Sequence, residues 1–404
     1  MKYCGVKTKV IYIRKRGEIT KTVSVQETIS LCIFMGKMLF VCNTVYQLFI
    51  ALWLKETELL DDRIDIIITD HMNNSSGLLK NVQKYSDFET AVGVKSKQYA
   101  YFQSESGRLE EVITNVFPEF TLNKFLKMSL KDYTDYYIAN IDRFTLLLYR
   151  ALKRRNGTVK VHIYEDGLGT YSQSFERTLF YREDLNRLNW IKRVLHQKVY
   201  RLEPVINDIV DVSVFAVNKV QWEPRDNVSV RKINKINRSN KRFRERCNRI
   251  FGFEKGELYP EKYIFFEQPF EEDVGEVNDL ELIKMIADRV GKDNIIIKTH
   301  PRSSRNRFGE IGLKTNSNSS IPWEVILLNM KDLKSKTLIT VSSTCVITPW
   351  LLYGESTTVY SIYTLIKRGS NGRMLGENLE DATLSLLLQY SDVVKLVKDI
   401  SEIE

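Results

Sequence analysis

Short runs of β-branched and aromatic residues alternate with longer amphipathic stretches along most of the chain. The short apolar runs predict strands, whereas apolar residues spaced three or four apart predict helices. In the first half, strands are predicted at Met38–Cys42, Ile64–Thr69, Gln98–Phe102, Asp135–Ala139 and Val159–Tyr164. Helices are predicted between them at Val45–Lys55, Leu109–Val116 and Asp142–Arg154.

The second half repeats this alternation. Its predicted strands are Tyr263–Glu267, Asn294–Lys298, Thr337–Val341 and Thr357–Tyr360, and its predicted helices are Asn278–Val290, Pro322–Met330 and Thr344–Tyr353. Strands that alternate with helices are typical of parallel sheets with helical crossovers. We therefore predict an α/β fold with two Rossmann-like domains that face each other across a cleft.

The same pattern suggests where the domains begin and end. Residues 1–35 are expected to form an irregular N-terminal extension, because the alternation starts only near Lys37. Residues 36–228 make up the first predicted domain. Residues 259–404 make up the second, whose last helix could return to the first. Residues 229–258 are expected to form a basic linker between them.

Charge is concentrated in this linker. The chain has 404 residues and a net charge of +9, and the segment Arg231–Ile250 alone contains nine Lys or Arg residues against one acid, Glu245. A general nucleic-acid-binding surface is therefore not expected. The segment is interpreted as a solvated face, with contact to anionic lipid headgroups as the alternative. No window of 18 apolar residues occurs, so no membrane-spanning helix is expected.

Cysteine and histidine usage gives no indication of a metal site. The five cysteines include no C-x-x-C pair and have an odd total, which is typical of reduced thiols in a cytoplasmic protein. The four histidines lie far apart in the sequence and lack the spacing of zinc ligands. We therefore expect a cytoplasmic protein that requires no metal.

Polar residues follow four of the predicted strands, where open α/β sheets bind their ligands. The first group, Asn43, Thr44, Tyr46 and Gln47, stands at the start of a predicted helix. Asn43 or Thr44 could cap that helix or line the cleft. The second group is Glu165, Asp166 and Gly167, directly after the apolar strand. Because neighbouring strand residues point to opposite faces, one carboxylate is expected to enter the cleft, where it could act as a general base.

The other two groups belong to the second predicted domain. The third follows the run Ile295–Ile297 and consists of Lys298, Thr299, His300, Pro301 and Arg302. Its cationic and titratable groups suit a phosphate. The fourth is Ser342, Ser343 and Thr344 at the start of a predicted helix, where hydroxyls and free N–H groups could bind phosphate or simply cap the helix.

Together, the four groups predict a nucleotide-sugar site. The second domain would hold a phosphate and the first would offer a base. The sequence has no D-x-D motif, so cationic side chains and peptide dipoles are expected to take the place of a metal at the leaving phosphate. Residues 167–169 read G-L-G and lack the third glycine of a dinucleotide fingerprint, which argues against NAD.

The motifs E-D-G at 165–167, K-T-H-P-R at 298–302 and S-S-T at 342–344, after F-V-C-N-T-V-Y-Q-L at 40–48, resemble those of bacterial sialyltransferases. The chain is most similar to the group that sialylates lipooligosaccharide and streptococcal capsule, glycosyltransferase family 52. The resemblance covers about Lys37 to Tyr360. It implies a GT-B-type fold, CMP-sialic acid as donor, a galactose-terminated acceptor and inversion without metal.

The resemblance also implies roles for individual residues. Glu165 or Asp166 would be the base, and His300 would assist the departing CMP. Lys298 and Glu324, the latter in the Pro322–Glu324 segment, would hold cytidine and ribose. The phosphate would be held by Ser342, Ser343 and Thr344. Relatives of this kind suggest a homodimer, and the basic linker suggests peripheral contact with the inner face of the membrane.

Two alternatives stay open at this point. The same scaffold could belong to a hexosyltransferase that uses a UDP-sugar, because the cationic group favours a monophosphate leaving group without requiring it. The chain could instead be a non-catalytic binder of anionic surfaces or nucleic acid through Arg231–Arg249. Such a binder would tolerate changes at His300.

Overall fold

The computed structural model describes residues 11–15, 18–23, 36–97, 122, 129–130, 132–176, 206, 208–254, 256, 258–273, 275–316, 318, 320–367, 385 and 387–404. Within residues 1–35, which the sequence predicts to be irregular, it contains two paired strands. These are β1 (Ile11–Lys15) and β2 (Glu18–Val23), which pair antiparallel. The correction has a local cause, because both segments are rich in β-branched residues and Gly17 lies between them in the sequence.

The first lobe is built on a sheet of seven strands, all parallel, in the order β5-β4-β3-β6-β7-β8-β9. These strands are β3 (Lys37–Cys42), β4 (Arg63–Thr69), β5 (Thr90–Val94), β6 (Tyr133–Ile138), β7 (Lys160–Tyr164), β8 (Ile209–Val214) and β9 (Ser229–Lys232). The interior strand β3 is buried from Leu39 to Cys42. Burial on both faces explains why such strands consist of continuous apolar runs.

Three α-helices of the first lobe are described. They are α1 (Val45–Thr57), α2 (Ser75–Tyr85) and α3 (Arg143–Arg155). Helix α3 begins with a capping box, in which Asp142 and Thr145 satisfy each other's backbone N–H groups. Helix α1 begins at the predicted residue and α3 begins one residue after its predicted start, with Asp142 as the cap, whereas α2 and the strands β5, β8 and β9 are not predicted. The predicted strand Gln98–Phe102 and helix Leu109–Val116 lie outside the described residues.

The second lobe has a six-stranded parallel sheet in the order β12-β11-β10-β13-β14-β15. Its strands are β10 (Tyr263–Phe266), β11 (Ile295–Lys298), β12 (Thr315–Asn316), β13 (Thr337–Thr340), β14 (Thr358–Ser361) and β15 (Lys395–Leu396). The two-lobe α/β architecture of GT-B type is therefore confirmed. Lys219 Nζ of the first lobe donates to the carbonyl of Gln389 at 2.9 Å, so the C-terminal segment contacts the first lobe.

The basic segment between the lobes, predicted to be a linker, contains a strand and a helix. Its first residues form β9, the last strand of the first sheet, and it continues into α4 (Lys241–Phe251). The helix packs against α2 of the first lobe and against a helix of the second. Asn240 caps it by accepting from the backbone N–H of Phe243, and Gly252 ends it with a left-handed φ of 71°.

Several basic side chains of α4 are engaged within the protein. Arg246 is buried and bridges Glu56 Oε2 at 2.7 Å and Asp87 Oδ2 at 2.5 Å. Arg242 also bridges Asp87, at 3.0 Å. These ion pairs neutralise part of the local excess of positive charge. They also hold α4 against the first lobe. Contact with an anionic membrane stays a prediction.

The remaining helices complete the second lobe. They are α5 (Phe270–Asp273), α6 (Asp279–Val290), α7 (Arg307–Glu310) and α8 (Trp323–Asn329), the helix that α4 contacts. The predicted helix Thr344–Tyr353 is instead a 3₁₀ turn at Thr344–Ile347 followed by a π-helical turn at Pro349–Tyr353. Within the described ranges, none of the helices combines the length and the apolar character needed to cross a bilayer.

Candidate active site

The four polar groups lie at the carboxyl ends of β3, β7, β11 and β13, two in each lobe. At the end of β3, Thr44 caps α1, since its hydroxyl accepts from the backbone N–H of Gln47 at 3.1 Å. Asn43 is buried, and its side chain donates to Asp142 Oδ2 at 2.7 Å. Thr44 is thus the cap, and Asn43 holds the loops after β3 and β6 together.

Glu165 is fully buried, and both of its carboxylate oxygens are used. The Tyr46 hydroxyl donates to Oε1 at 2.6 Å, and the Tyr171 hydroxyl and the backbone N–H of Phe215 donate to Oε2, the latter at 2.9 Å. Burial raises the pKa of Glu165 to about 7, and the hydrogen bonds from Tyr171, Tyr46 and Phe215 oppose the rise. This carboxylate ties three segments together and is shielded from solvent.

Asp166, the next residue, has a different environment. It is half-buried, and Gln47 Nε2 donates to its Oδ1 at 2.8 Å. The amide of Gln47 is oriented in turn, because its Oε1 accepts from the backbone N–H of Asn43 at 2.6 Å. Among the described residues, nothing bonds to Asp166 Oδ2. Burial raises the pKa of Asp166 to about 6, and the bond from Gln47 opposes the rise.

Gly167 lets the chain turn back so that the residues after it bond to both Glu165 and Asp166. Its φ of 78° and ψ of −159° are backbone angles that glycine adopts readily and other residues avoid. The chain turns there into a 3₁₀ helix at Leu168–Tyr171, which returns the Tyr171 hydroxyl to Glu165. The Thr170 hydroxyl accepts from the backbone N–H of Asp166 at 2.9 Å. Gly167 therefore shapes this strand end.

His300 follows β11 and is also half-buried. Its Nδ1 accepts from the backbone N–H of Arg302 at 3.1 Å, so the neutral ring carries its proton on Nε2. Its own backbone N–H donates to Glu267 Oε2 at 2.8 Å. Burial and then the positive charges of Arg302 and Lys298 lower the pKa of His300. At neutral pH the group is an uncharged hydrogen-bond donor.

The basic residues beside His300 differ in their partners. Arg302 makes a two-pronged ion pair with Asp273, with both N···O distances 2.9 Å. Lys298 is half-buried, and the described residues provide no hydrogen-bond or ion-pair partner for its Nζ. Burial lowers the pKa of Lys298, and the nearby Cys345 and Glu324 oppose this. Lys298 is therefore the cation of this group that is available to a ligand.

Glu324 lies in the first turn of α8 and is mostly buried. Burial raises its pKa, and the charge of Lys298 opposes the rise. Its charge also reaches the first lobe. The pKa of Tyr46 is raised by burial, then by Glu165 and Tyr171, and further by Glu324. Glu324 is therefore within electrostatic reach of polar groups in both lobes.

The serine group after β13 has a capping role. The Ser343 hydroxyl accepts from the backbone N–H of Cys345 at 3.4 Å, and the Ser343 backbone N–H donates to the Thr340 hydroxyl at 2.7 Å. Ser342 is half-buried and Thr344 is exposed. Because the helix that follows is a short 3₁₀ turn, an aligned peptide dipole contributes little here. Phosphate binding at this strand end would depend on the side-chain hydroxyls.

A cavity of about 610 Å³ lies between the lobes. It is lined by the predicted residues Asn43, Thr44 and Pro301, and by His71, Asn73 and Asn74, which were not predicted from the sequence. The carboxylates Glu165 and Asp166, His300 and the serine group are not part of its lining. The missed residues follow the isoleucine run of β4. Because ligand-binding residues of open α/β sheets follow the carboxyl ends of strands, the same rule applied to β4 would have predicted them.

The described residues contain no group of three or more His, Cys, Asp or Glu side chains that could hold a metal ion. Independence of metal stays a prediction.

Several solved structures are similar to the chain. A UDP-GlcNAc 2-epimerase from Neisseria meningitidis, bound to UDP-GlcNAc, is 12% identical, with 88% of this chain and 92% of that chain covered and a TM-score of 0.38. The glycotransferase of kitacinnamycin is 10% identical, with coverages of 92% and 88% and a TM-score of 0.43. MurG from Acinetobacter baumannii is 9% identical, with coverages of 91% and 87% and a TM-score of 0.39.

No curated protein matches the sequence of the chain. One family model does match it, and that model is described as alpha-2,8-polysialyltransferase. The match extends over residues 38–362, nearly the range in which the motifs occur. The assignment to glycosyltransferase family 52 stays a prediction, whereas the expectation of a sialyltransferase family is confirmed. Since the match includes most of the chain, the protein belongs to the alpha-2,8-polysialyltransferase family.

Proposed function

We propose that the protein is an inverting, metal-independent sialyltransferase. It would move sialic acid from CMP-sialic acid to a galactose-terminated acceptor during synthesis of capsular polysaccharide or lipooligosaccharide. Family membership supports a sialyltransferase. The observation that carries the proposal is the environment of Asp166, whose Oδ1 is held by Gln47 while Oδ2 has no partner among the described residues.

Asp166 is the base in this proposal. Glu165 suits the role less, because both of its oxygens already accept hydrogen bonds inside the protein. With a pKa of about 6, Asp166 is mostly ionised above neutral pH and still basic enough to take a proton. The acceptor hydroxyl oxygen would bond to the anomeric carbon of sialic acid as its proton passes to Asp166.

His300 is the group that assists the departure of CMP. The bond between the anomeric carbon and the phosphate oxygen breaks, and both electrons leave with CMP. The Nε2–H of His300 would donate to that phosphate, and the anionic phosphate would itself favour the protonated ring. Lys298, Ser342 and Ser343 would supply further contacts to the nucleotide, with Glu324 accepting from the ribose hydroxyls.

Release of the nucleotide tests the proposal directly. The purified protein is incubated with a lactoside and either CMP-sialic acid or UDP-hexoses, and CMP and UDP are quantified. We expect CMP release and a sialylated product. UDP release alone would favour the hexosyltransferase alternative. His300→Ala is expected to abolish transfer while the protein stays folded by circular dichroism, and full activity in that variant would remove His300 from the mechanism.

A further inference from the structure

Glu267 is a buried acid directly after β10, and it lies beside the segment that carries His300. Its backbone N–H donates to the carbonyl of Lys298 at 3.1 Å. Its carboxylate oxygen Oε2 accepts from the backbone N–H of His300 at 2.8 Å. These two bonds continue the pairing of β10 with β11 beyond the end of both strands, so a single residue holds the chain on either side of Thr299.

The same segment is also held from the other side. Strand β12 pairs with β11 on the edge away from β10. The backbone N–H of Thr299 donates to the carbonyl of Asn316 at 3.2 Å, and the Thr299 hydroxyl donates to the same carbonyl at 3.3 Å. The backbone is thus fixed by both neighbouring strands, whereas Lys298 Nζ and His300 Nε2 have no hydrogen-bond partner among the described residues.

The position of the His300 ring depends on this backbone. Pro301 has no N–H, so the N–H groups of His300 and Arg302 are the donors at the start of the turn. Glu267 accepts the first, and Nδ1 of the His300 ring accepts the second at 3.1 Å. The bond from Arg302 therefore selects the tautomer of the ring, and the bond to Glu267 fixes the point at which the turn begins.

Buried ion pairs hold the carboxylate of Glu267 in its orientation. Its Oε1 lies 3.4 Å from Nη2 of Arg307, the first residue of α7. Arg307 also pairs through two nitrogens with Asp279, the first residue of α6, at 3.1 and 2.8 Å. None of these three side chains is more than 7% exposed. Burial raises the pKa of Glu267, and the His300 N–H and the charge of Arg307 oppose the rise.

Charge balance in this cluster does not require Glu267. Two carboxylates face one guanidinium, so a neutral residue at position 267 would leave Arg307 and Asp279 as a one-to-one ion pair. A neutral residue at position 307 would instead leave two buried carboxylates without their cation, which is costly. The shorter contact of the Glu267 carboxylate is the one to the His300 N–H. Its role can therefore be tested in a folded protein by changing Glu267 itself.

We propose that Glu267 is a positioning residue, which orients His300 toward the departing phosphate by holding the backbone N–H of His300. The inference rests on the proposed function for the role of His300 in the reaction. The orientation of the ring, by contrast, is a property of the protein without substrate. Arg307 and Asp279 act one step further away, because they hold the carboxylate.

Two variants of one position test the inference. Glu267→Met has a similar length and no acceptor for the His300 N–H. Glu267→Gln is the conservative variant, since its amide oxygen can still accept that N–H. Glu281→Met is the matched control, because it makes the same replacement at an exposed position on α6. Each full-length variant is assayed for kcat and for the KM of CMP-sialic acid, and circular dichroism confirms that it is folded.

The expected result is a loss in kcat with little change in KM. A ring displaced by a fraction of an ångström donates poorly to the departing phosphate, so Glu267→Met should lower kcat about tenfold to hundredfold. The KM for CMP-sialic acid should change by less than about threefold, because the interaction lost belongs to the transition state. Glu267→Gln should retain kcat within about threefold of the wild type, the cost of weakening one hydrogen bond. Glu281→Met should behave as the wild type.

The ring itself supplies a readout that a merely structural role would not move. Two-bond ¹H–¹⁵N NMR of the histidine rings distinguishes the two neutral tautomers, and His300→Gln identifies the signals of His300. The wild type should show a proton on Nε2 and none on Nδ1. In Glu267→Met the signals should move toward a mixture of tautomers, and in Glu267→Gln they should return to the wild-type positions.

The two readouts separate this inference from the proposed function. A wild-type kcat in Glu267→Met would overturn the inference and leave the proposed function standing. Equal losses of kcat in Glu267→Met and Glu267→Gln, with the ring signals unmoved, would also overturn it, because Glu267 would then serve only the fold. If the ring signals move in Glu267→Met and the wild type releases no CMP from CMP-sialic acid, the placement of His300 by Glu267 is supported and the proposed function fails.

Discussion

The acidic strand end of the first lobe and the basic strand end of the second differ in how completely their polar groups are bonded. After β7, Glu165 accepts from Tyr46, Tyr171 and the chain at Phe215, and Asp166 is oriented by Gln47. After β11, Lys298 has no hydrogen-bond or ion-pair partner among the described residues. His300 Nε2 likewise makes no hydrogen bond to them, although Nδ1 does.

The difference matches the two tasks of the proposed reaction. A base must be in position before the acceptor arrives, and a network of buried hydrogen bonds provides that order. A site for an anionic phosphate needs donors that are not already satisfied, because the ligand then supplies the missing partner. The first region is therefore expected to be rigid without substrate, and the second to gain stability when a nucleotide binds.

The largest expected effect is on catalysis at Asp166. Asp166→Asn keeps an oxygen for the Gln47 amide but removes the base, so kcat should fall about 10²- to 10⁴-fold. Steady-state transfer from CMP-sialic acid measures this. Asp226→Asn, at an exposed position, is the control and should retain full activity. A variant of Asp166 with more than half of the wild-type kcat would move the base elsewhere.

Glu165 should instead matter most for stability. Glu165→Ala removes the acceptor of the Tyr46 and Tyr171 hydroxyls, while the backbone N–H of Phe215 keeps its bond to the Tyr171 hydroxyl at 3.1 Å. At about 1 kcal/mol or more for each hydroxyl, the free energy of unfolding should fall by at least about 2 kcal/mol. Urea denaturation measures this loss. Asp166→Ala, which frees only the Gln47 amide, should cost about 1 kcal/mol. Equal losses would contradict the contrast between the two carboxylates.

Nucleotide binding should stabilise the second region. At a CMP concentration one hundred times its Kd, binding to the folded state alone adds about 2.7 kcal/mol to the free energy of unfolding. Lys298→Met should reduce this gain at the same CMP concentration, because it removes a half-buried cation whose Nζ has no partner among the described residues. Lys334→Met, an exposed lysine of the same lobe, is the control. An undiminished gain in Lys298→Met would exclude that lysine from the nucleotide site.

The smallest expected effect is a change in pH dependence. In the wild type, kcat/KM should rise with pH around the Asp166 pKa of about 6, because the ionised form is the base. The Gln47 bond lowers this pKa, so Gln47→Met should move the rise to higher pH. At pH 6 the loss in kcat/KM should stay under about tenfold, the effect of one pKa unit.

The groups around Asp166 define the control for this shift. Besides Gln47, the thiol of Cys42 lies close enough for Asp166 to raise its pKa, after the larger effect of burial, and the Thr170 hydroxyl bonds the Asp166 backbone. Gln83→Met on α2 leaves all three in place and should keep the wild-type pH profile. A profile that Gln47→Met leaves unmoved would mean that Asp166 does not limit the rate.

Local sequence was sufficient for the elements that position the site. The strands β3 and β11 contain continuous apolar runs followed by polar residues, and β7 is apolar except for Lys160 and His162, so the sequence predicts both these strands and their ends. Strand β5 is not predicted, because Thr90 and Gly93 interrupt its apolar pattern. The predicted helix 344–353 is divided into a 3₁₀ turn and a π-helical turn at Pro349, a residue without the N–H that a continuous helix would need.

The different roles of Glu165 and Asp166 could not be predicted, although their opposite orientations could. Tyr46 and Gln47, which separate the two environments, are 119 residues away in the sequence from the carboxylates that they contact. Such contacts depend on how α1 lies over the sheet. The sequence identified all four residues as candidates but left the choice of the base open.

Strand β9 has a practical consequence for work on isolated halves of the protein. A fragment ending at residue 228 would lack this strand, and the backbone groups of β8 that pair with it would form an exposed edge. Exposed edges promote aggregation between chains. Recombinant production of the first half should therefore extend at least through Lys232, and inclusion bodies from shorter fragments would reflect this truncated sheet rather than an inability of the lobe to fold.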